Sequence, residues 1–301
     1  EMCIRDSPRT PMQTLHRIAE LRSLLDDARR VGRTVGLVPT MGYLHSGHQS
    51  RIEAAARDCD EVVTTVFVNP LQFAAGEDLN AYPRDIEGDS AKARESGCTV
   101  MFVPEESEMY PLGRDAVATS VSVAALASVM EGASRPTHFA GVCTVVAKLF
   151  NIAGACRAYF GEKDYQQLAI IRTMAADLSF PVDVVGIPTA RAPDGLALSS
   201  RNAYLDDDER AVAPVLNEAL RRGAAAINAG EVDADEVRRT MATVIESAPL
   251  GKLDYVEVAD PDSLEPLDRC GPDARLFGAV QFGRARLIDN VAADPAGGNR
   301  S

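Results

Sequence analysis

Two histidines that flank a glycine are the strongest chemical signal in this sequence. His45-Ser46-Gly47-His48 follows an apolar run ending at Val38, where a strand would lead into a helix. Residues three apart on a helical turn project to one side, and the N–H groups at a helix start can hold phosphate. Imidazoles placed there can donate hydrogen bonds to charge developing on an α-phosphate as pyrophosphate leaves. Gly47 leaves room for a nucleotide. The alternative interpretation is that the two histidines form a surface pair or a fragment of a metal site.

A second polar segment, Gly161-Glu162-Lys163-Asp164, comes directly after another apolar run. Lys163 can act as a point charge on phosphates, and Asp164 can accept a hydrogen bond from a ribose hydroxyl. Gln167 lies three residues further on, so it could face the same crevice. The alternative is a solvated turn capped by Asp164.

A third segment, Leu198-Ser199-Ser200-Arg201, lies in a glycine-bearing loop. Two hydroxyls and a guanidinium there could form a mobile phosphate clamp. By composition alone, a helix-capping loop is the stronger interpretation. The clamp gains weight only together with the first two segments.

Two further segments could bind an uncharged or carboxylate-bearing substrate. Asn69 and Gln72 offer amides among aromatic residues, which suits a polyol-like ligand; a local turn held by Asn69 is an equally good interpretation. Arg135 could pair with a substrate carboxylate and His138 could orient it, although a capping loop would look the same.

These residues need elements that bring them together, and the hydrophobic pattern supplies them. It predicts helices near 15–28 (capped by Thr14), 47–58, 90–96, 142–152 and 166–178, and strands near 34–38, 62–68, 100–103, 158–160 and 182–187. After residue 188 it predicts one long helix opened by 206–209, a second at 233–247, and strands near 253–258 and 276–288. Strands that alternate with helices form a parallel sheet, with the ligand crevice at the carboxyl ends of the strands.

The predicted fold is therefore α/β: a doubly wound parallel-sheet (Rossmann-like) nucleotide-binding domain at 12–189 and a smaller C-terminal α+β lid domain at 190–301. Residues 1–11 are set aside as non-native or disordered, because residues 2–7 match one translated frame of a sequencing adapter.

Composition excludes several classes of protein. The 301 residues carry 31 Lys+Arg against 44 Asp+Glu, a net charge of −13, so nucleic-acid binding would need a basic stripe that the sequence lacks. The sequence contains no apolar run long enough to span a bilayer. Six cysteines without C-x-x-C spacing suggest neither zinc nor disulfides. We expect a cytoplasmic protein that binds neither nucleic acid nor membrane.

Taken together, these segments resemble the pantothenate synthetase family (pantoate–β-alanine ligases), which belongs to the class I nucleotidylyltransferase-like enzymes. The resemblance runs over residues 35–205, with a weaker match at 282–290. It implies two steps: pantoate attacks the ATP α-phosphate to give pantoyl adenylate and pyrophosphate, and β-alanine then gives pantothenate and AMP. The alternative is a relative of the same fold that releases a stable adenylylated product. A catalytically silent ATP-binding protein would have lost His48, Lys163 or Arg201, and a full aminoacyl-tRNA synthetase would be longer and less acidic.

The resemblance also assigns roles to residues. His48 would be the proton donor, assisted by His45, while Lys163 and Arg201 stabilise the pentavalent phosphorus. ATP would contact Pro39, Thr40, Met41, Gly42, Tyr43, Leu44, His45, Ser46, Gly47, His48, Gly161, Glu162, Lys163, Asp164, Ala190, Leu198, Ser199, Ser200 and Arg201. Gln72 and Gln167 would grip pantoate, Gln72 would also lie near β-alanine, and Asn69 looks like a phosphate-side contact. Arg135 and His138 stay substrate candidates on their residue types.

Mg²⁺ on the phosphates and a homodimer are implied as well, with Asp89 as a weak candidate for approaching the metal. Three positions depart from the family pattern. Leu198 replaces a usual Met, Ser46 stands where Glu is common, and Arg51 stands where an apolar residue is usual. None of these departures removes a proposed catalytic group.

Overall fold

The larger of the two sheets in the described chain has six parallel strands. A computed structural model describes residues 12–74 and 79–294, so the expectation for residues 1–11 lies outside the described chain. The strands are β1 (Gln13–Leu15), β2 (Val35–Thr40), β3 (Glu61–Val66), β4 (Val100–Phe102), β5 (Cys156–Gly161) and β6 (Val182–Ile187). Their order is β1-β4-β3-β2-β5-β6, and every pairing is parallel. The Rossmann-like prediction is confirmed.

Helices connect these strands and cover both faces of the sheet. They are α1 (Ile18–Arg30), α2 (Ser46–Asp58), α3 (Ile86–Glu95), α4 (Glu106–Met109), α5 (Met130–Ser134), α6 (His138–Ala153) and α7 (Tyr165–Asp177). Short 3₁₀ turns stand at Pro70–Gln72, Arg114–Ala116 and Glu162–Asp164. All six residues of β3 are buried, as expected for a parallel strand covered on both faces.

The order of the strands fixes the place of the ligand crevice. The chain runs outward from β2 through β3 to β4, and then crosses to the other side of β2 to form β5 and β6. Ligands in such sheets bind where this reversal of direction occurs, outside the carboxyl ends of the strands. The crevice therefore lies between the segments that follow β2 and β5.

The second sheet is smaller and antiparallel. Its strands are β7 (Gly251–Ala259), β8 (Arg275–Phe282) and β9 (Ala285–Ala292), joined in that order. Helices α8 (Asp207–Val212), α9 (Val215–Asn228) and α10 (Ala234–Glu246) accompany it, and a 3₁₀ turn at Ser200–Tyr204 precedes them. This sheet and its helices enclose an apolar core of their own. The α+β prediction for this region is confirmed, while the boundary at residue 190 stays a prediction.

Some predicted elements are wrong in their details. Thr14 does not cap α1; it lies in β1, which pairs with β4 at the edge of the sheet, and α1 begins after Arg17. The long helix expected after residue 206 is two helices, because Pro214 lacks the N–H that a continuous helix needs. The strand expected at 276–288 is a hairpin whose two-residue loop contains Gly283.

Other boundaries shift without changing the element. Helix α6 begins at His138 rather than near Val142, which places His138 on the helix. The acidic cluster at 206–209 opens a helix as predicted, and Asp206 caps α8 by accepting a hydrogen bond from the backbone N–H of Glu209. No helix in residues 12–74 and 79–294 is both long and apolar enough to cross a membrane.

Candidate active site

The turn after β2 carries the two histidines, and a buried carboxylate holds its backbone. The chain takes positive φ angles of 86° at Gly42 and 51° at Tyr43. Asp89, fully buried on α3, accepts hydrogen bonds from the N–H groups of Tyr43 (2.8 Å) and Leu44 (2.6 Å), one on each carboxylate oxygen. A Cβ at Gly42 would lie 2.9 Å from Asp89 Oδ2, so glycine is needed for this close approach.

These contacts give Asp89 a different task from the one expected. Both of its oxygens face the turn, and burial raises its pKa although the two backbone hydrogen bonds oppose that rise. The structure shows Asp89 positioning the histidine-bearing turn. A role beside a metal ion stays an untested prediction.

His45 is the N-cap of α2 and His48 lies in its first turn, and each ring accepts a hydrogen bond from a backbone N–H. His45 Nδ1 accepts a hydrogen bond from the Gly47 N–H (3.1 Å), and His48 Nδ1 accepts one from the His45 N–H (3.3 Å). The ring centroids are 4.1 Å apart. Because both Nδ1 atoms act as acceptors, the neutral rings carry their protons on Nε2. The pair thus offers two N–H donors at the positive end of a 13-residue helix.

Burial keeps both histidines neutral. Burial, together with the positive charges of Arg51 and Lys163, lowers the pKa of His45 to about 4. Burial also lowers the pKa of His48 well below its usual value, and Arg51 and His45 add to that effect. A neutral imidazole still has one N–H, here on Nε2, that can donate a hydrogen bond to phosphate. This state fits stabilisation of charge that develops only during reaction.

Gly47 and Arg51 both lie in the wall of the cavity that His45 lines. A Cβ at Gly47 would lie 2.9 Å from His45 Cε1 and 3.6 Å from Ala190 Cβ, so the missing side chain makes room for the His45 ring. Arg51 Nε donates to the Gly47 carbonyl (3.0 Å), and its guanidinium lies beside Gly161. The atypical arginine therefore lies inside the proposed nucleotide cavity, which its residue type alone did not indicate.

Lys163 and Asp164 reach the same crevice from the end of β5. Lys163 Nζ donates to Asp164 Oδ1 at 3.1 Å, and the lysine side chain is 17% exposed. Burial by itself would raise the pKa of Asp164, but the charge and hydrogen bond of Lys163 outweigh it, with Arg51 and Arg201 contributing, so the pKa is lowered. Asp164 is therefore an ionised acceptor paired with the Lys163 ammonium.

The loop between β6 and α8 forms the third wall of the crevice, beside the turn after β2 and the end of β5. Ser199 Oγ accepts from the Arg201 N–H (3.3 Å), and Asn202 Oδ1 accepts from the Ser199 N–H (2.7 Å). The capping-loop interpretation is thus correct for the backbone. The same turn also brings Ser200 and Arg201 to the wall of the cavity that His45 lines. The loop can therefore cap its own backbone and still lie where the phosphate clamp was predicted.

Two of the residues expected to bind the other substrates, Asn69 and Gln72, line this same cavity. Asn69 is 1% exposed; its amide donates to the Gly141 carbonyl (3.1 Å) and its oxygen accepts from Tyr110 Oη (2.7 Å) and the Leu71 N–H. Gln72 accepts from Asn69 through Oε1, while its backbone carbonyl accepts from His138 Nδ1 at 2.9 Å.

Most of the predicted site residues line two cavities that share part of their walls. The smaller, of about 180 Å³, lies between the turn after β2, the end of β5 and the loop before α8, and is lined by Pro39, Thr40, Met41, His45, Gly47, His48, Asn69, Gln72, Gly161, Lys163, Asp164, Gln167, Ala190, Leu198, Ser199, Ser200 and Arg201. The larger, of about 550 Å³, adds Arg135 and His138 and extends to β9. Gly42, Tyr43, Leu44, Ser46, Glu162 and Asp89 line neither cavity.

Several residues that shape these cavities were missed in the sequence. Gly141 lets α6 touch the turn at Pro70–Gln72, since a Cβ there would lie 2.2 Å from the Leu71 carbonyl oxygen. Gln166 donates to the carbonyls of Leu126 and Val129, both at 2.8 Å. No local pattern marks these contacts, because their partners are distant in sequence.

Comparison with known proteins identifies the family. The family model described as "Pantoate-beta-alanine ligase" matches residues 13–292. The pantothenate synthetase of Chloroflexus aurantiacus is 49% identical over 280 residues, covering 93% of this chain and 97% of that protein. That of Pseudomonas fluorescens is also 49% identical over 280 residues, with coverage of 93% and 98%.

Solved structures agree. Pantothenate synthetase from Thermus thermophilus superposes with a TM-score of 0.88 at 47% identity, covering 94% of this chain and 100% of that one. Pantoate-β-alanine ligase from Francisella tularensis, complexed with β,γ-ATP and β-alanine, gives a TM-score of 0.77 at 31% identity, with coverage of 94% and 98%. With this identity along nearly its whole length, and with the histidine, lysine and serine-arginine segments around one crevice, the chain belongs to the pantoate–β-alanine ligase family.

Proposed function

We propose that this protein condenses pantoate with β-alanine, consuming ATP and releasing AMP and pyrophosphate through a pantoyl-adenylate intermediate. The observation that carries the proposal is the pair of neutral histidines at the start of α2, with Lys163 and Arg201 around the same cavity. This arrangement places hydrogen-bond donors and cations around one cavity of about 180 Å³.

In the first step a pantoate carboxylate oxygen attacks the ATP α-phosphorus, and the bond to the pyrophosphate oxygen breaks. His48 and His45 donate hydrogen bonds from Nε2 to the phosphoryl oxygens. Lys163, whose Nζ lies beside Asp164 in the cavity wall, stabilises the charge on the leaving pyrophosphate, together with Ser199, Ser200 and Arg201. Asp164 accepts from the ribose, and Ala190 and Leu198 lie against the base.

In the second step the β-alanine amine attacks the acyl carbon, and AMP leaves with the electrons of the acyl–oxygen bond. Gln72 and Gln167 hold pantoate at the junction of the two cavities, which both residues line. Arg135 and His138, in the larger cavity, face the carboxylate-bearing part of the substrates. Asn69 holds the Pro70–Gln72 turn and so the orientation of Gln72, in addition to its predicted approach to phosphate.

Mg²⁺ enters this scheme bound to ATP. No three His, Cys, Asp or Glu side chains converge as a metal-binding group within residues 12–74 and 79–294. Without such a group, Mg²⁺ would be held mainly by the phosphates and water, which is how it usually binds in nucleotide sites.

The assembly, the compartment and the domain boundary are parts of the same proposal. We infer a homodimer, for which sedimentation equilibrium is the test. Free thiols at Cys59, Cys98, Cys143, Cys156 and Cys270 support a reducing compartment such as the cytoplasm, which cell fractionation would check. The domains proposed are 12–189 and 190–301.

Product analysis tests the proposed reaction. Purified protein is incubated with ATP, Mg²⁺ and pantoate, with and without β-alanine, and the products are separated by chromatography. Pantothenate and AMP are expected only when all substrates are present. A free adenylylated product that accumulates in the presence of β-alanine would instead support the alternative nucleotidyltransferase, and no turnover of pantoate would refute the assignment.

A further inference from the structure

The segment Phe282–Asn290 is not used by the reaction described above, although it ends against the active site. Asp289 and Asn290 on β9 are 4% and 3% exposed. Both belong to the second sheet, yet their side chains bond to segments of the nucleotide cavity. Buried polar side chains are costly unless they are fully paired, so the partners of these two show what they hold in place.

Asn290 holds the turn that carries Lys163. Its Nδ2 donates to the carbonyl oxygens of Glu162 (2.9 Å) and Lys163 (2.8 Å). The amide is itself oriented, because Arg275 Nε donates to Asn290 Oδ1 at 2.7 Å. The Arg275 guanidinium in turn lies 3.6 Å from the centre of the Tyr165 ring, which fixes it against the start of α7.

Asp289 holds the loop that carries Ser199 and Arg201. Arg191, in that loop, donates from Nη1 to Oδ2 (2.6 Å) and from Nη2 to Oδ1 (2.9 Å) of Asp289. Asn217 also donates to Oδ2. Arg191 forms a backbone bridge with Ala197, two residues before Ser199, so the ion pair anchors the base of the serine-arginine turn.

We propose that Asp289 and Asn290 are positioning residues that set the distance between Lys163 and the Ser199–Arg201 turn for adenylyl transfer. The inference rests on the proposed function. Two adjacent residues of one rigid strand hold both cation-bearing segments, so their separation is set by β9. A fixed separation lets both segments meet the pentavalent phosphorus without reorganising during the reaction.

The Glu162–Asp164 turn needs this support. It is three residues long and has no side-chain cap at its start. Without the Asn290 amide, two of its carbonyls would lose their partner, and the Lys163 backbone would lose its only described link to β9. A carboxylate in place of the amide would face those carbonyls with no N–H to give.

The test replaces the amide in two ways. Asn290→Asp keeps the shape but removes both donors and adds a charge, while Asn290→Leu removes the donors without adding charge. Asn228→Asp is the control, because Asn228 Nδ2 also donates to a backbone carbonyl, that of Ala293 (2.9 Å), away from the cavity. Arg191→Lys supplies an independent variant, since it keeps the charge and loses the two-point contact with Asp289.

Pantoate-dependent exchange of labelled pyrophosphate into ATP measures the first step, and full turnover gives the KM for β-alanine. We expect the maximal exchange rate of both Asn290 variants to fall about 10- to 100-fold, with the KM for β-alanine unchanged. Arg191→Lys should give a smaller fall, and Asn228→Asp none. Thermal melting identifies the folded variants to be compared.

Three results would overturn the proposal: undiminished exchange in a folded Asn290 variant, a loss in Asn290→Asp alone, or an equal loss in Asn228→Asp. If the Asn290 variants do not fold, undiminished exchange in Arg191→Lys has the same meaning. Exchange by the unmodified protein is measured first. Its absence would refute the proposed function, whereas its presence with unaffected variants refutes only the positioning role.

Discussion

Replacing Gly141 by alanine should weaken folding and pantoate binding together. In a helix interior, alanine is about 1 kcal/mol more favourable than glycine, so without a steric conflict the change would stabilise α6. The added Cβ would, however, lie 2.2 Å from the Leu71 carbonyl oxygen and 2.6 Å from Gln72 Cα. Both neighbours are backbone, so neither can turn aside as a side chain would.

Removing this clash needs a shift of about 1 Å between α6 and the Pro70–Gln72 turn, because nonbonded carbon contacts settle near 3.5 Å. Overpacking of this kind typically costs 1–3 kcal/mol, and the rigid backbone on both sides favours the upper end. After the gain in helix propensity, we expect the free energy of unfolding to fall by about 2 kcal/mol. The shift also moves Gln72, so the KM for pantoate should rise.

Urea unfolding and steady-state kinetics check both expectations. Gly271→Ala is the matched control, since an added Cβ at Gly271 meets nothing within 4 Å. An unfolding free energy for Gly141→Ala equal to or above that of Gly271→Ala would refute the reasoning, because it would show that α6 and the turn are not in contact. A lower stability with an unchanged KM for pantoate would refute the link to Gln72.

Three further predictions concern the site itself. His48→Ala or Lys163→Ala should each lower the pyrophosphate exchange rate about 100-fold or more, through lost stabilisation of the transition state; near-normal rates in both would refute these roles. The pKa of His45 is about 4 in the folded chain and near 6.5 when unfolded, so its contribution to stability is complete above pH 6.5 and is lost as pH falls towards 4. Urea unfolding at pH 7 and pH 5 should therefore show a smaller acid-induced loss for His45→Gln than for the unmodified protein. Arg51→Leu should raise the pKa of His45, since burial still lowers it but the neighbouring positive charge is gone; an unchanged NMR titration would contradict this.

Much of the fold could be predicted because it depends on short-range pattern. The apolar run at 62–68 is β-branched and continuous, and it becomes the fully buried β3. The acidic cluster at 206–209 opens a helix as expected. The errors lie where a neighbour distant in sequence decides the outcome. Residues 13–15 become a strand because the edge of β4 is available to pair with them, and no local signal states that.

The candidate site shows the same division. The sequence by itself determined which groups are available, because two histidines three apart at a strand-to-helix turn, a lysine after a strand and a serine-arginine loop are local patterns. The alternation of strands and helices already implied that these groups lie at the carboxyl ends of a parallel sheet. The strand order, which places β2 beside β5, came from the structure. The protonation state of the histidines and the location of Arg51 did not follow, since both depend on burial.

Only the tertiary structure decided what holds those groups in place. Asp89 reaches the backbone of Tyr43 and Leu44 from 45 or 46 residues away, and Asn290 reaches Lys163 from 127 residues away. Such contacts satisfy buried backbone groups, and almost any distant polar side chain of the right length could supply them. The sequence therefore names the chemistry, while the packing of α3 and β9 against the site fixes the distances at which it acts.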